Sequence, residues 1–175
     1  MGTSNITFYN HMPASRICEL LGEDIWNSYF KFCTVRNPFD KVVSWFWFRE
    51  IGRLPDKRSY GGGARNQPDF GDVRVSFRSW LLSDPDLPQD IAVYTIDGST
   101  CVDRFLRYER LQDDVNELCS DLSLEAAPLP TLKSQYRRRP EAFQEYYDQL
   151  SAEVVKRTFE VDFDLLEYDA ESWRF

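Results

Sequence analysis

Arg36, Ser44 and the single histidine, His11, are the residues of this chain whose types and spacing suit chemistry on an anion. An apolar run from Phe30 to Val35 leads into Arg36-Asn37-Pro38, and a second apolar run from Phe39 to Phe48 carries Ser44 within it. Asn37 suits a helix cap, Pro38 the first helical position, and Asp40 the place of a capping-box carboxylate. Ser44 then lies about 9 Å further along the helix axis than Pro38, at 1.5 Å per residue. A phosphate gripped by both Arg36 and Ser44 would lie beside the first two turns, with the guanidinium folded toward the hydroxyl. Arginine suits that task because its planar fork holds phosphate oxygens in a fixed geometry. The alternative is that Arg36 only pairs with Asp40, and Ser44 is a small residue of a buried helix.

The elements that must position these residues alternate in type. A short helix is expected over 13–22, with Ala14, Ile17, Cys18 and Leu21 on one face and Gly22 as its stop. Phe30 to Val35 reads as a strand, and Pro38 to about Glu50 as a helix apolar on nearly all sides, hence buried. Residues 52–72, with Gly61-Gly62-Gly63, read as a mobile loop. A helix near Val75 to Leu82 follows. Ile91 to Ile96 and Cys101 to Arg107 read as strands around an Asp97-Gly98-Ser99 turn. Leu111 to Leu122 is amphipathic, and the last long helix is expected to begin over Ser151 to Phe159, with Val154, Val155 and Phe159 on one face. Such alternation favours a layered α/β domain.

The strand, the Arg-Asn-Pro turn and the serine-bearing helix together resemble the 3′-phosphate-binding segment of sulfotransferases that use 3′-phosphoadenosine 5′-phosphosulfate (PAPS), especially carbohydrate sulfotransferases and their bacterial relatives. Further segments resemble the family in the same order: Tyr9-Asn10-His11-Met12-Pro13-Ala14 before the phosphate strand, Phe105-Leu106-Arg107-Tyr108-Glu109-Arg110-Leu111, Leu129-Pro130-Thr131-Leu132-Lys133-Ser134, and Tyr146-Tyr147-Asp148 through Tyr168. The resemblance implies a P-loop-like fold with a central parallel sheet flanked by helices, and PAPS as co-substrate. It assigns Arg36 and Ser44 to the 3′-phosphate and places Lys133 and Ser134 as second contacts on that side. It makes His11 the general base, a role that suits a side chain titrating near neutral pH. His11 packing against the Pro13 helix is the plain alternative, and Glu23, Asp24, Asp40 and Glu109 are the carboxylates that could replace it as base.

One departure stands beside the match. Family members open with a strand and a phosphosulfate loop of Lys-Thr-x-x-Thr-Ser type, whereas here only Gly2-Thr3-Ser4 echoes the loop's end. The chain therefore reads as an N-terminally truncated domain over 1–175, with 1–8 flexible, and the sheet edge so exposed is expected to favour homo-oligomers. Three functions follow. The first is sulfuryl transfer to a hydroxyl of a carbohydrate or small metabolite. The second is a catalytically inactive nucleotide-binding or protein-interaction module of the same fold, and the third a remnant without ligand.

Composition sets the bounds. A length of 175 residues suits one domain with a real core, to which 15% aromatic residues contribute large side chains. A net charge of −8 argues against a nucleic-acid partner that depends on general phosphate attraction, so any anion site must be local. Arg137, Arg138 and Arg139 beside Lys133, and Arg49, Arg53, Lys57, Arg58 and Arg65 around the glycine-rich stretch, are the local basic sets. No apolar run approaches a membrane span and no signal peptide is evident, so a cytoplasmic protein is expected. Cys18, Cys33, Cys101 and Cys119 lack the paired spacing of a zinc site, and neither a metal nor structural disulfides are expected.

Overall fold

The computed structural model describes residues 8–51, 70–130 and 141–175. Most of the loop expected at 52–72, and Lys133 and Ser134, lie outside them. Contacts divide the chain into two compact units, Met1–Val35 with Gln89–Ala126 and Arg36–Pro88 with Ala127–Phe175.

In the first unit, helix α1 (Ala14–Leu21) stops where the sequence places its stop. Gly22 there has φ 83° and ψ 152°, a conformation essentially reserved for glycine, and its N–H bonds Cys18 O at 2.8 Å. A helix that the sequence reading did not include, α2 (Glu23–Ser28), follows directly. Strand β1 (Phe32–Val35) pairs in parallel with β4 (Arg104–Arg107), in register from Phe32 opposite Arg104 to Val35 opposite Arg107. The entrance to this pair is tied by Asp103, whose carboxylate accepts the Lys31 N–H at 2.7 Å and lies 3.2 Å from Lys31 Nζ. That backbone bond, reinforced by the ammonium, holds the Asp103 carboxyl below its ordinary range.

The strand expected over Ile91–Ile96 is corrected: Ile91–Tyr94 form one helical turn, α5, before the two-residue strand β2 (Thr95–Ile96). A short apolar run carries no period that separates strand from helix, and local bonds settle this one. Val93 N–H reaches Asp90 O at 2.8 Å and the Thr95 hydroxyl caps Ile91 O at 2.7 Å. The expected turn is present. Asp97 (φ 51°) and Gly98 (φ 76°) link β2 to its antiparallel partner β3 (Ser99–Thr100), both in the left-handed region that tight hairpins require. The next strand starts at Arg104 rather than Cys101, because Cys101 N–H is still bonded to Tyr94 O at 3.0 Å and the parallel ladder begins only beyond Asp103. A 3₁₀ turn (Tyr108–Arg110) then opens α6 (Leu111–Asp121). Asp114 of α6 is buried, yet it accepts the Arg107 N–H at 2.6 Å and faces Arg110 Nε at 2.7 Å, so its charge is compensated.

The second unit holds the larger core. Helix α3 (Pro38–Phe46) ends in a π-helical turn (Trp47–Ile51), and α4 (Phe70–Leu82) packs beside it. A 3₁₀ turn (Phe143–Tyr146) leads to α7 (Gln149–Thr158) and α8 (Glu160–Leu166). The single terminal helix of the sequence reading is thus two, broken at Phe159 (φ −115°). Phe39, Val42, Phe46, Phe77, Leu81, Tyr146, Val155 and Phe159 are buried together. Phe77 is the hub: it meets Phe46 at 5.4 Å, Tyr146 at 5.5 Å and Tyr147 at 5.1 Å, each edge to face. Such contacts add about 0.5–1.5 kcal/mol each beyond the area they bury. The mixed helix and strand architecture with a small parallel sheet agrees with the α/β class; among the described residues that sheet has two strands.

Candidate anion-binding site

Asn37 and Pro38 start α3 as their types dictate. The Asn37 side-chain oxygen accepts the Phe39 N–H at 3.0 Å, while its amide donates to Ser172 Oγ at 2.9 Å, and Pro38 occupies the first helical position. A cap of this kind contributes about 1 kcal/mol. At about 100° per residue, Phe39, Val42, Val43 and Phe46 fall on one side of α3 and are buried, whereas Asp40, Lys41 and Ser44 fall on the other and are half-buried. The expectation of a helix apolar on nearly all sides is thus corrected. The helix has a polar stripe, and Ser44 stands on it one turn beyond Asp40.

Arg36 Nε donates to Asp40 Oδ2 at 2.6 Å, and the arginine side chain is 21% exposed. The pairing that the sequence left as an alternative is thus present, but Ser44 lies on the half-buried polar stripe rather than in the fully buried core. Lys41, the cation of the stripe, is drawn toward α8. Its Nζ lies 3.5 Å from the buried Asp162 carboxylate and 4.4 Å from the centre of the Phe159 ring, a tie between α3 and α8 that no short-range sequence signal announces.

A second framework braces the first turn of α3. The Tyr147 hydroxyl donates to Phe39 O at 2.8 Å, Trp47 Nε1 donates to Tyr146 Oη at 3.1 Å, and Arg78 donates to Tyr146 O at 2.9 Å and Tyr147 O at 2.6 Å. Arg78 also faces Asp148 at 3.3 Å, and Asp148 caps α7 by accepting from Ser151 N–H at 2.9 Å and Ser151 Oγ at 2.6 Å. Burial pushes the Asp148 carboxyl up, but the Ser151 donors and the Arg78 guanidinium outweigh it and hold it below its ordinary value. Sequence reasoning missed Arg78, which sits on an amphipathic helix where an arginine is ordinary.

His11 belongs to the first unit. It is a left-handed residue (φ 59°) whose side chain is 81% exposed, with Nδ1 3.7 Å from Asp90 Oδ1. Histidine tolerates that conformation better than most residues. Among the substitute bases, Glu23 and Asp24 are exposed in the first turn of α2, Glu109 is exposed in the 3₁₀ turn before α6, and Asp40 is engaged by Arg36. Of the basic set around the glycine-rich stretch, Arg49 lies over the Trp45 ring at 5.1 Å, and the other four members lie outside the described residues. Arg137, Arg138 and Arg139 lie outside them too. Cys18, Cys33, Cys101 and Cys119 are each half-buried. Among the described residues no group of side chains is arranged to hold a metal ion, and no helix is long and apolar enough to cross a membrane.

Comparison with known proteins finds no match among curated proteins and none among solved structures. A family model, described as the Sulfotransferase family, matches residues 15–169, which takes in β1, the Arg36 turn, α3 and both terminal helices. With that match spanning most of its length, the chain belongs to the sulfotransferase family.

Proposed function

We propose that this protein transfers the sulfuryl group of PAPS to a hydroxyl of a carbohydrate or other small acceptor, on a P-loop-like sheet of the sulfotransferase type. Family membership supports sulfuryl transfer in general, and the polar stripe of α3 supports the nucleotide assignment. Arg36 and Ser44 take the 3′-phosphate, with Lys133 and Ser134 as further contacts on that side. The chemistry requires the acceptor oxygen to bond to sulfur while the bond from sulfur to the phosphate oxygen breaks, leaving adenosine 3′,5′-bisphosphate. His11 takes the acceptor's proton, so that the attacking oxygen does not carry it into the product.

The observation that carries the reading is the placement of Arg36 and Ser44 at the capped start and on the half-buried polar stripe of one helix. A dianionic phosphate there meets a guanidinium and a hydroxyl, and none of the hydrogen bonds among the described residues uses that hydroxyl. Charge-assisted hydrogen bonds contribute roughly 1.5–3 kcal/mol. Titrating adenosine 3′,5′-bisphosphate by calorimetry should therefore show Arg36→Ala weakening binding at least about tenfold. Equal affinities would leave the Arg36–Asp40 pair a structural clamp and favour a module without this nucleotide site.

A further inference from the structure

The contact between Arg36 and Asp40 has a direction. Asp40 receives the Nε hydrogen, the guanidinium donor nearest the side-chain stem, at 2.6 Å, and the carboxylate is only 13% exposed. Asp40 sits in the first turn of α3, whose backbone is fixed by the Asn37 cap and by Tyr147 on Phe39 O. The plane of the guanidinium is thereby referred to the helix that carries Ser44. A flexible arginine loses rotamer freedom when it grips a ligand, and an internal acceptor that already holds the stem removes part of that cost.

We infer that Asp40 is a positioning residue for Arg36: it occupies Nε and sets the plane in which the guanidinium meets the phosphate. This rests on the reading of Arg36 as a phosphate-holding residue. Its charge works against its geometry, since a carboxylate beside a dianion repels it. What the site needs at residue 40 is an acceptor atom in the right place, so asparagine should serve and alanine should not.

The experiment is titration of adenosine 3′,5′-bisphosphate into wild type, Asp40→Ala and Asp40→Asn, each checked for folding by its thermal melt, together with the Arg36 Nε–H resonance of the wild type followed through the titration. Asp40→Ala should bind about tenfold more weakly, Asp40→Asn should bind as tightly as wild type or more tightly, and the Nε–H signal should stay protected at saturation. Alanine binding as well as wild type, or an Nε–H released as the bisphosphate binds, would show that Asp40 is a bystander or a competitor. Either result leaves the phosphate assignment intact. A wild type that does not bind the bisphosphate would instead overturn that assignment, and this inference with it. The resonance decides the matter even where the alanine variant fails to fold.

Discussion

The two units are built to different standards, and the proposed roles divide the same way. The second unit surrounds the start of α3 with a buried aromatic hub, a side-chain cap and carbonyls clamped by Arg78. Among the described residues the first has a smaller buried set, with Met12, Ala14, Val35, Tyr94, Leu106 and Leu118. Arg36 therefore stands beside a densely packed and hydrogen-bonded base, whereas His11 stands on an exposed turn. Pre-organisation matters most for groups that recognise a fixed, highly charged ligand, because misplacing them loses the gain of a preset geometry.

The sharpest way to break this contrast is through the cores. Phe77→Ala should destabilise the protein by about 3–5 kcal/mol, from lost transfer energy, an unfilled cavity and the loss of three edge-to-face contacts. Phe32→Ala, at a position 53% exposed, should cost no more than about 1 kcal/mol. Chemical denaturation of the two variants checks both values, and similar losses would mean that the Phe32 ring is held as firmly as the Phe77 ring.

The next effect is on turnover. His11→Ala should lower sulfuryl transfer by about 10² while bisphosphate affinity stays within about twofold, as expected for a general base that does not hold the nucleotide. The check is a radiolabelled sulfate-transfer assay run beside calorimetry. Turnover within threefold of wild type would move the role to one of the carboxylates.

How much of this was legible in the sequence depends on the range of the cause. The start of α3 was readable because Asn37 and Pro38 act on their immediate neighbours, and Gly22 and Asp97-Gly98 for the same reason. The break at Phe159 was hidden, since Val155, Phe159, Phe163 and Leu166 keep a helical spacing straight through it and the apolar stripe continues across the kink. Helix α2 has six residues and none buried, so it leaves no pattern to find. At the candidate site, the sequence named Arg36, Ser44 and the competing Arg36–Asp40 pair. It did not reveal Lys41 on Asp162 or Arg78 on the Tyr146 and Tyr147 carbonyls, because those partners are distant in the chain and only packing joins them.

The smallest effect tests how directly the aromatic framework serves the site. Tyr147→Phe removes one hydroxyl that donates to Phe39 O at 2.8 Å, and it keeps the ring that packs on Phe39 and Phe77. Phe39 O is also within reach of the helical N–H four residues on, so the carbonyl is not stranded by the change. The loss should therefore be near 1 kcal/mol, the net value of one ordinary hydrogen bond, and not the larger penalty of a buried orphan. If the hydroxyl does no more than steady the first turn of α3, bisphosphate affinity should fall by less than about threefold while the melting temperature drops by a few degrees. An affinity loss of tenfold or more with an unchanged melting temperature would reverse that order, and would make Tyr147 part of the ligand's own surroundings rather than a brace behind them.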